Sequence, residues 1–88
     1  MRAALTIINE KGLHARASAR FAAVVEEFDA EVTVTRDGMT VNGGSIMGLL
    51  MLAAARGSTV HVTAQGPQAS EALGALEALI GDRFGEPT

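Results

Sequence analysis

Apolar and polar residues alternate with a period of two in several stretches of the chain, which is the pattern of half-buried β-strands. This alternation predicts strands over residues 2–8, 31–36 and 59–64. A shorter strand is predicted over residues 39–41, because Asp37-Gly38 just before it favours a type I′ hairpin turn. The second and third strands should therefore pair antiparallel.

Apolar residues recur at helical spacing in the longer stretches between these strands. Helices are predicted over residues 15–28, 46–54 and 68–81. Ser45 is a good N-cap for the second helix, and Arg56-Gly57 is predicted to end it, since glycine can adopt the left-handed conformation. Residues 82–88 follow neither period, and we expect them to be frayed.

The order strand, helix, strand, strand, helix, strand, helix predicts a single α+β domain over residues 1–88. We expect two layers, with four strands forming a sheet and three helices on one face. The alternation within the strands leaves the other sheet face to solvent. The order of the strands in the sheet is not determined by these patterns.

Composition narrows the class of protein. With 48% apolar and 19% charged residues, the 88-residue chain can form a core, and without cysteine it can form neither disulfides nor thiolate metal sites. A net charge of −3 with no Trp or Tyr argues against a nucleic-acid partner. No signal peptide and no membrane-length apolar stretch is found, so we expect a soluble, cytoplasmic protein without membrane insertion.

The strongest chemical signal lies where the first strand leads into the first helix. His14 stands at this junction, where unpaired backbone N–H groups and the helix dipole favour an anion. Arg16 can approach the same anion, and Gly12 allows a tight turn. A neutral imidazole is a competent nucleophile, so His14 could carry a phosphoryl group. The spacing alone leaves open a solvent-exposed histidine beside an unrelated arginine.

Other chemistries have less support. No second histidine or carboxylate stands at metal-ligand spacing from His14, so we expect no metal site. His61 lies between Val60 and Val62, which places it on the polar sheet face, where we interpret it as structural or incidental.

Two segments resemble the HPr family, the histidine phosphocarriers of the bacterial phosphotransferase system. Gly12-Leu13-His14-Ala15-Arg16 is similar to the family's active-site signature, and residues 41–49 (VNGGSIMGL) resemble its regulatory-serine segment. The resemblance covers essentially the whole chain. It implies an open-faced sandwich of βαββαβα order, with a four-stranded antiparallel sheet.

The same resemblance implies the function. His14 would accept a phosphoryl group from phospho-enzyme I and pass it to a histidine of a IIA-type protein. Arg16 and the backbone amides of Ala15, Arg16 and Ala17 would hold the phosphate, with no cofactor beyond that covalent group. The family usually has proline where this chain has Ala17. Because alanine keeps helix propensity and adds a donor, we expect the site to survive.

Ser45 has two interpretations. It can be a plain N-cap, and the resemblance implies regulatory phosphorylation by an HPr kinase/phosphorylase. A basic residue often precedes this serine in the family, whereas here Gly44 does.

The second helix is apolar almost all round. Leu49, Leu52 and Ala53 form the stripe expected to face the sheet, which leaves a second, exposed cluster. The resemblance implies that enzyme I and the acceptor dock there, on a surface formed by Ile46, Met47, Leu50 and Arg20. A core position for Met47 is the alternative.

Two other functions remain open at this point. The chain could serve a nitrogen-type or kinase-linked branch without sugar transport, or it could be an interaction module that carries no phosphate. Transient docking favours a monomer.

Overall fold

The computed structural model describes all 88 residues. It contains four strands, three α-helices and a short 3₁₀ turn, in the βαββαβα order that the sequence predicts. The elements are β1 (Arg2–Thr6), α1 (Ala15–Glu26), β2 (Glu31–Arg36), β3 (Met39–Asn42), α2 (Ile46–Met51), β4 (Thr59–Gln65), α3 (Ala69–Gly81) and the turn at Arg83–Gly85. None of the helices is both long and apolar enough to cross a membrane.

The four strands form one antiparallel sheet in the order β1-β4-β2-β3. Strand β4 is central: Val60 pairs with Leu5 on β1, and Val62 pairs with Val34 on β2. The hairpin between β2 and β3 turns at Asp37 and Gly38. Both have positive φ (48° and 79°), as a type I′ turn requires. The predicted antiparallel open sheet is therefore confirmed.

One face of the sheet forms the core with the helices. On β4, Val60, Val62 and Ala64 are buried, whereas His61 and Thr63 are partly exposed on the other face. The largest buried helical side chains are Phe21, Leu49 and Leu76. The helices thus cover one face only, which confirms the two-layer α+β class.

Helix α2 is shorter than predicted and ends at Met51. The backbone leaves the helix because Ala53 adopts a left-handed φ of 50°. The Arg36 guanidinium then donates a hydrogen bond to the free carbonyl of Leu52, at 2.9 Å. The predicted end at Arg56-Gly57 is wrong, since the structure uses these two residues in a separate turn before β4.

This early end also changes which alanine faces the core. Ala53 is exposed, contrary to the predicted stripe, and Ala54 is buried instead. The Ala54 carbonyl accepts a hydrogen bond from the Leu13 N–H at 2.9 Å. This contact joins the segment after α2 to the loop before α1.

The chain end, expected to be frayed, is folded back onto the domain. Phe84 is only 1% exposed and belongs to the core cluster. The Arg20 guanidinium donates to the Phe84 carbonyl, and the Glu10 N–H donates to the Thr88 carbonyl at 3.1 Å. The expectation of fraying is wrong, because one buried aromatic residue produces no periodicity in the sequence. We call residues 82–88 the C-terminal strap.

Candidate functional site

His14 lies at the predicted junction and forms the N-cap of α1. Its backbone is extended (φ −74°, ψ −177°), and its carbonyl accepts from the Ser18 N–H at 2.8 Å. Its ring Nδ1 accepts a hydrogen bond from the Arg16 N–H at 3.3 Å. Asp, Asn, Ser or Thr usually fill this role. An imidazole nitrogen therefore faces the first-turn amides of α1, which lack intrahelical partners.

The loop before His14 packs closely against the segment that follows α2. Gly12 has a φ of +65°, and a Cβ added there would lie 2.6 Å from the Ala54 carbonyl oxygen. Leu13 is buried, and its carbonyl accepts from the Ser18 hydroxyl at 3.1 Å. These contacts fix the backbone on both sides of the turn, so the His14 ring is presented from a rigid support.

The second ring nitrogen of His14 contacts a carboxylate of the strap. Nε2 is hydrogen-bonded to Glu86 Oε2. The Asn9 amide nitrogen donates to the other oxygen, Glu86 Oε1, at 3.0 Å, and also to the Gly12 carbonyl at 2.8 Å. Asn9 and Glu86 were not predicted as site residues, because neither belongs to a motif and Glu86 lies at the far end of the chain. Asn9 is fully buried, which its polar side chain gives no reason to predict.

The charge of Glu86 determines where the ring proton lies. The hydrogen bond from Asn9, followed by the contact with His14 and the charge of Lys11, lowers the pKa of Glu86 despite the opposing effect of burial. An ionised carboxylate only accepts hydrogen bonds, so His14 Nε2 donates. Because Nδ1 accepts from Arg16, the neutral ring carries its proton on Nε2 and a lone pair on Nδ1.

Two cationic side chains, Lys11 and Arg16, lie near the ring together with the Glu86 carboxylate. A surface cavity of about 150 Å³ is lined by Lys11, His14, Arg16, Glu86, Pro87 and Thr88. The exposed Arg16 guanidinium makes no ion pair or hydrogen bond within the chain, so it can meet an incoming anion. The structure thus brings His14 and Arg16 together as predicted.

Ala17 stands where the resembled family has proline. It is fully buried in the core cluster on the first turn of α1. Its backbone N–H is one of the first-turn amides that have no intrahelical acceptor. The substitution therefore leaves α1 starting at the predicted place.

Ser45 is the N-cap of α2, as predicted. Its Oγ accepts from the Gly48 N–H at 3.0 Å, and it is partly exposed. Before it, the Asn42 side chain accepts from the Gly44 N–H at 2.7 Å. Ser45 therefore lies, partly exposed, in a hydrogen-bonded turn.

The apolar cluster predicted on α2 is on the surface. Met47 is 69% exposed, so the alternative that placed it in the core is wrong. Ile46 is also exposed and Leu50 is partly so, while Met51, which the sequence analysis did not include, is 64% exposed. We call Ile46, Met47, Leu50 and Met51 the α2 patch. Its helix packs against α1, next to the His14 loop.

Arg20, the remaining predicted docking residue, lies one turn beyond Arg16 on α1. Its side chain is exposed and also donates to the Phe84 carbonyl. It therefore ties the strap to α1.

Comparison with known proteins identifies the family. The family model described as "PTS HPr component phosphorylation site" matches residues 1–82. Phosphocarrier protein HPr of Cupriavidus necator is 52% identical over 81 residues, covering 92% of this chain and 91% of the relative. Phosphocarrier protein NPr of Shewanella violacea is 40% identical and covers 93% and 90%. The crystal structure of HPr-C-His from Thermoanaerobacter tengcongensis superposes with a TM-score of 0.95 at 36% identity, covering 100% and 99%.

The chain belongs to the HPr family of phosphocarrier proteins. It carries phosphate in the phosphotransferase system, and its antiparallel open sheet with three helices is the fold of that family. The resemblance first seen in two short segments is confirmed over nearly the full length.

Proposed function

We propose that His14 is the residue that carries the phosphate, accepting it from phospho-enzyme I and passing it to a histidine of a IIA-type protein. The observation that supports this most directly is the position of Nδ1, which directs its lone pair at the N-terminus of α1 beside the unpaired Arg16. A nucleophile and an anion site coincide at this atom.

The transfer exchanges one N–P bond for another. The Nδ1 lone pair attacks phosphorus, the N–P bond to the donor histidine breaks, and its electron pair stays on the donor nitrogen. The same step runs toward the acceptor histidine. Since no bond order or oxidation state changes, the carrier needs no cofactor other than the covalent phosphate.

The phosphoryl oxygens would be held from two sides. The amides of Ala15, Arg16 and Ala17 lie in the first turn of α1, where anions are favoured. The Arg16 guanidinium can bind two oxygens at once. Phosphoryl transfer depends mainly on positioning and electrostatics, which this arrangement supplies.

Partner proteins would dock on the α2 patch and on Arg20. The patch is exposed, apolar and rich in flexible methionine, which suits successive binding of two different surfaces. Transient docking of this kind is consistent with a monomeric carrier.

Ser45 would be a regulatory site for an HPr kinase/phosphorylase. Ser45 is partly exposed at a helix N-terminus, where a phosphate is tolerated. The added charge would lie beside Ile46 and Met47 and would oppose docking of apolar partners. Incubation with a cognate kinase and ATP tests this, and an unmodified Ser45 would contradict it.

The carrier could serve either the sugar-transport or the nitrogen-type branch of the phosphotransferase system. Similarity to relatives named HPr favours the sugar-transport branch, while the relative named NPr keeps a nitrogen-type branch as the second candidate. Transfer from the phosphorylated carrier to a panel of IIA-type proteins would distinguish them. The phosphate-carrying role of the family, with His14 present in this chain, argues against the interaction-module alternative.

Intact-mass spectrometry tests the proposed acceptor. The protein is incubated with phosphoenolpyruvate, magnesium and enzyme I, and the mass is recorded at neutral pH. We expect one acid-labile phosphate on the wild type and on His61→Ala, and none on His14→Ala. His61 is the matched control because it is the other histidine and lies on the open sheet face. Phosphate on His14→Ala would overturn the assignment.

A further inference from the structure

We propose that Glu86 is a positioning residue for phosphoryl transfer, holding the proton of His14 on Nε2 so that Nδ1 keeps its lone pair toward the helix N-terminus. This inference rests on His14 being the phosphoryl acceptor. It assigns a function to a carboxylate that the sequence pattern left in a tail expected to be frayed.

The contacts around Glu86 hold it in one orientation. Its two carboxylate oxygens have different partners, His14 Nε2 on one and the Asn9 amide on the other. Asn9 is fully buried, and its own side-chain oxygen has no partner. The Asn9 side chain is therefore held through its amide nitrogen, which donates to Glu86 and to the Gly12 carbonyl.

The strap keeps the carboxylate at the ring. Phe84 is buried in the core just two residues before Glu86. Arg83 and Phe84 both take positive φ, 53° and 55°, which non-glycine residues adopt only when the surroundings compensate. The Arg20 hydrogen bond to the Phe84 carbonyl is part of that compensation. The strap therefore has a defined path that ends with Glu86 against His14.

The chemical consequence follows from the two ring nitrogens. With Nε2–H donating to a carboxylate, attack can occur only through Nδ1. As the N–P bond forms, positive charge develops on the ring, and the adjacent carboxylate stabilises it. The same division of roles, with a carboxylate orienting a histidine and stabilising its cation, operates in hydrolase triads. After transfer to the acceptor, the N–P bond breaks and the lone pair returns to Nδ1.

Glu86→Gln tests the proposal with almost no change in shape. An amide can present either its oxygen or its NH₂ group to Nε2, so the preference for one tautomer weakens. We expect the initial rate of His14 phosphorylation by a catalytic amount of enzyme I to fall about tenfold. The loss should be smaller than in a triad, because the Arg16 N–H still favours a lone pair on Nδ1.

A second readout separates positioning from structure. Ring ¹⁵N chemical shifts report which nitrogen of His14 carries the proton. We expect an unprotonated Nδ1 in the wild type and a mixture of the two neutral tautomers in Glu86→Gln. The backbone amide shifts of the strap should stay those of the folded state. Glu10→Gln is the matched control, because it removes the same charge from the neighbouring loop and makes no side-chain contact with the site.

The outcomes are distinguishable. A wild-type rate with an unchanged ring spectrum in Glu86→Gln would overturn the proposal. So would a faster rate, because Glu86 would then only obstruct the site. If the wild type itself gains no phosphate, or if His14→Ala does, it is the proposed function that fails. The ring spectrum still reports on the proton placement in that case.

Discussion

Helices α1 and α2 both begin at a capping side chain, yet the two caps are supported in different ways. Ser45 Oγ accepts from the Gly48 N–H at 3.0 Å, entirely within the first turn of its own helix. His14 Nδ1 accepts from the Arg16 N–H at a longer 3.3 Å, and its other nitrogen is held by Glu86, 72 residues away in the chain. The Ser45 cap needs only residues of its own helix, whereas the His14 cap also depends on a tertiary contact.

This difference has a physical reason. A cap that only satisfies a helix N-terminus can use its best hydrogen-bond geometry. A cap that must also react needs its acceptor atom free for another partner, so the bond at Nδ1 is weak and the ring is oriented through Nε2 instead. Three substitutions and one change of pH distinguish the Ser45 cap from the His14 cap, and they follow in order of decreasing expected effect.

Removing the anchor of the strap should have the largest effect. Phe84→Ala deletes a fully buried aromatic side chain, and we expect a loss of about 3 kcal/mol in the free energy of unfolding. The contact of Glu86 with His14 should weaken, while the Ser45 cap is unaffected. Urea unfolding with amide exchange at both helix starts measures this, and equal loosening of α1 and α2 would contradict it.

Changing the turn below His14 should come next. Gly12→Ala places a Cβ 2.6 Å from the Ala54 carbonyl oxygen and at a positive φ, so we expect a loss of about 2 kcal/mol. The control is Gly74→Ala on α3, where an added Cβ would meet nothing beyond its own helix backbone within 4 Å, and where the change should stabilise by up to about 1 kcal/mol. Similar stability for both variants in urea unfolding would show that the turn tolerates a side chain.

Removing the local cap should have a moderate effect. Ser45→Ala loses the hydrogen bond to the Gly48 N–H and should cost about 1 kcal/mol. Ser70→Ala, at an exposed position on α3, should change little and is the control. Because the cap acts locally, phosphorylation of His14 by enzyme I should keep its rate if docking is unchanged. A loss as large as that of Phe84→Ala would contradict a local role.

Acidification should give the smallest effect, through the carboxylate that contacts the cap at His14. The hydrogen bond from Asn9 lowers the pKa of Glu86 in the folded state below its ordinary value of 4.5. A lowered folded pKa means that the ionised group stabilises the fold above its unfolded pKa, and that this contribution is lost as the pH falls through the folded pKa. Wild type should therefore lose more stability below about pH 4 than Glu86→Gln does. If the free energy of unfolding depends on pH in the same way in both proteins, ionised Glu86 does not stabilise the fold.

Much of the site was predictable because its signals are local. The junction position of His14, the nearby Arg16 and the cap at Ser45 all follow from neighbouring residues in the chain. The exposure of Met47 follows from having more apolar positions on α2 than one buried face can use. Asn9 and Glu86 were missed because their pairing joins the two ends of the chain.

The sequence by itself determined the elements, their order, the hairpin at Asp37-Gly38 and the chemistry available at His14. These depend on periodicity, turn residues and functional groups, all of which are properties of short segments. Only the tertiary structure decided the central place of β4, the early end of α2 and the path of the strap. Each of these depends on contacts between distant segments, such as Leu13 with Ala54, which no local pattern records.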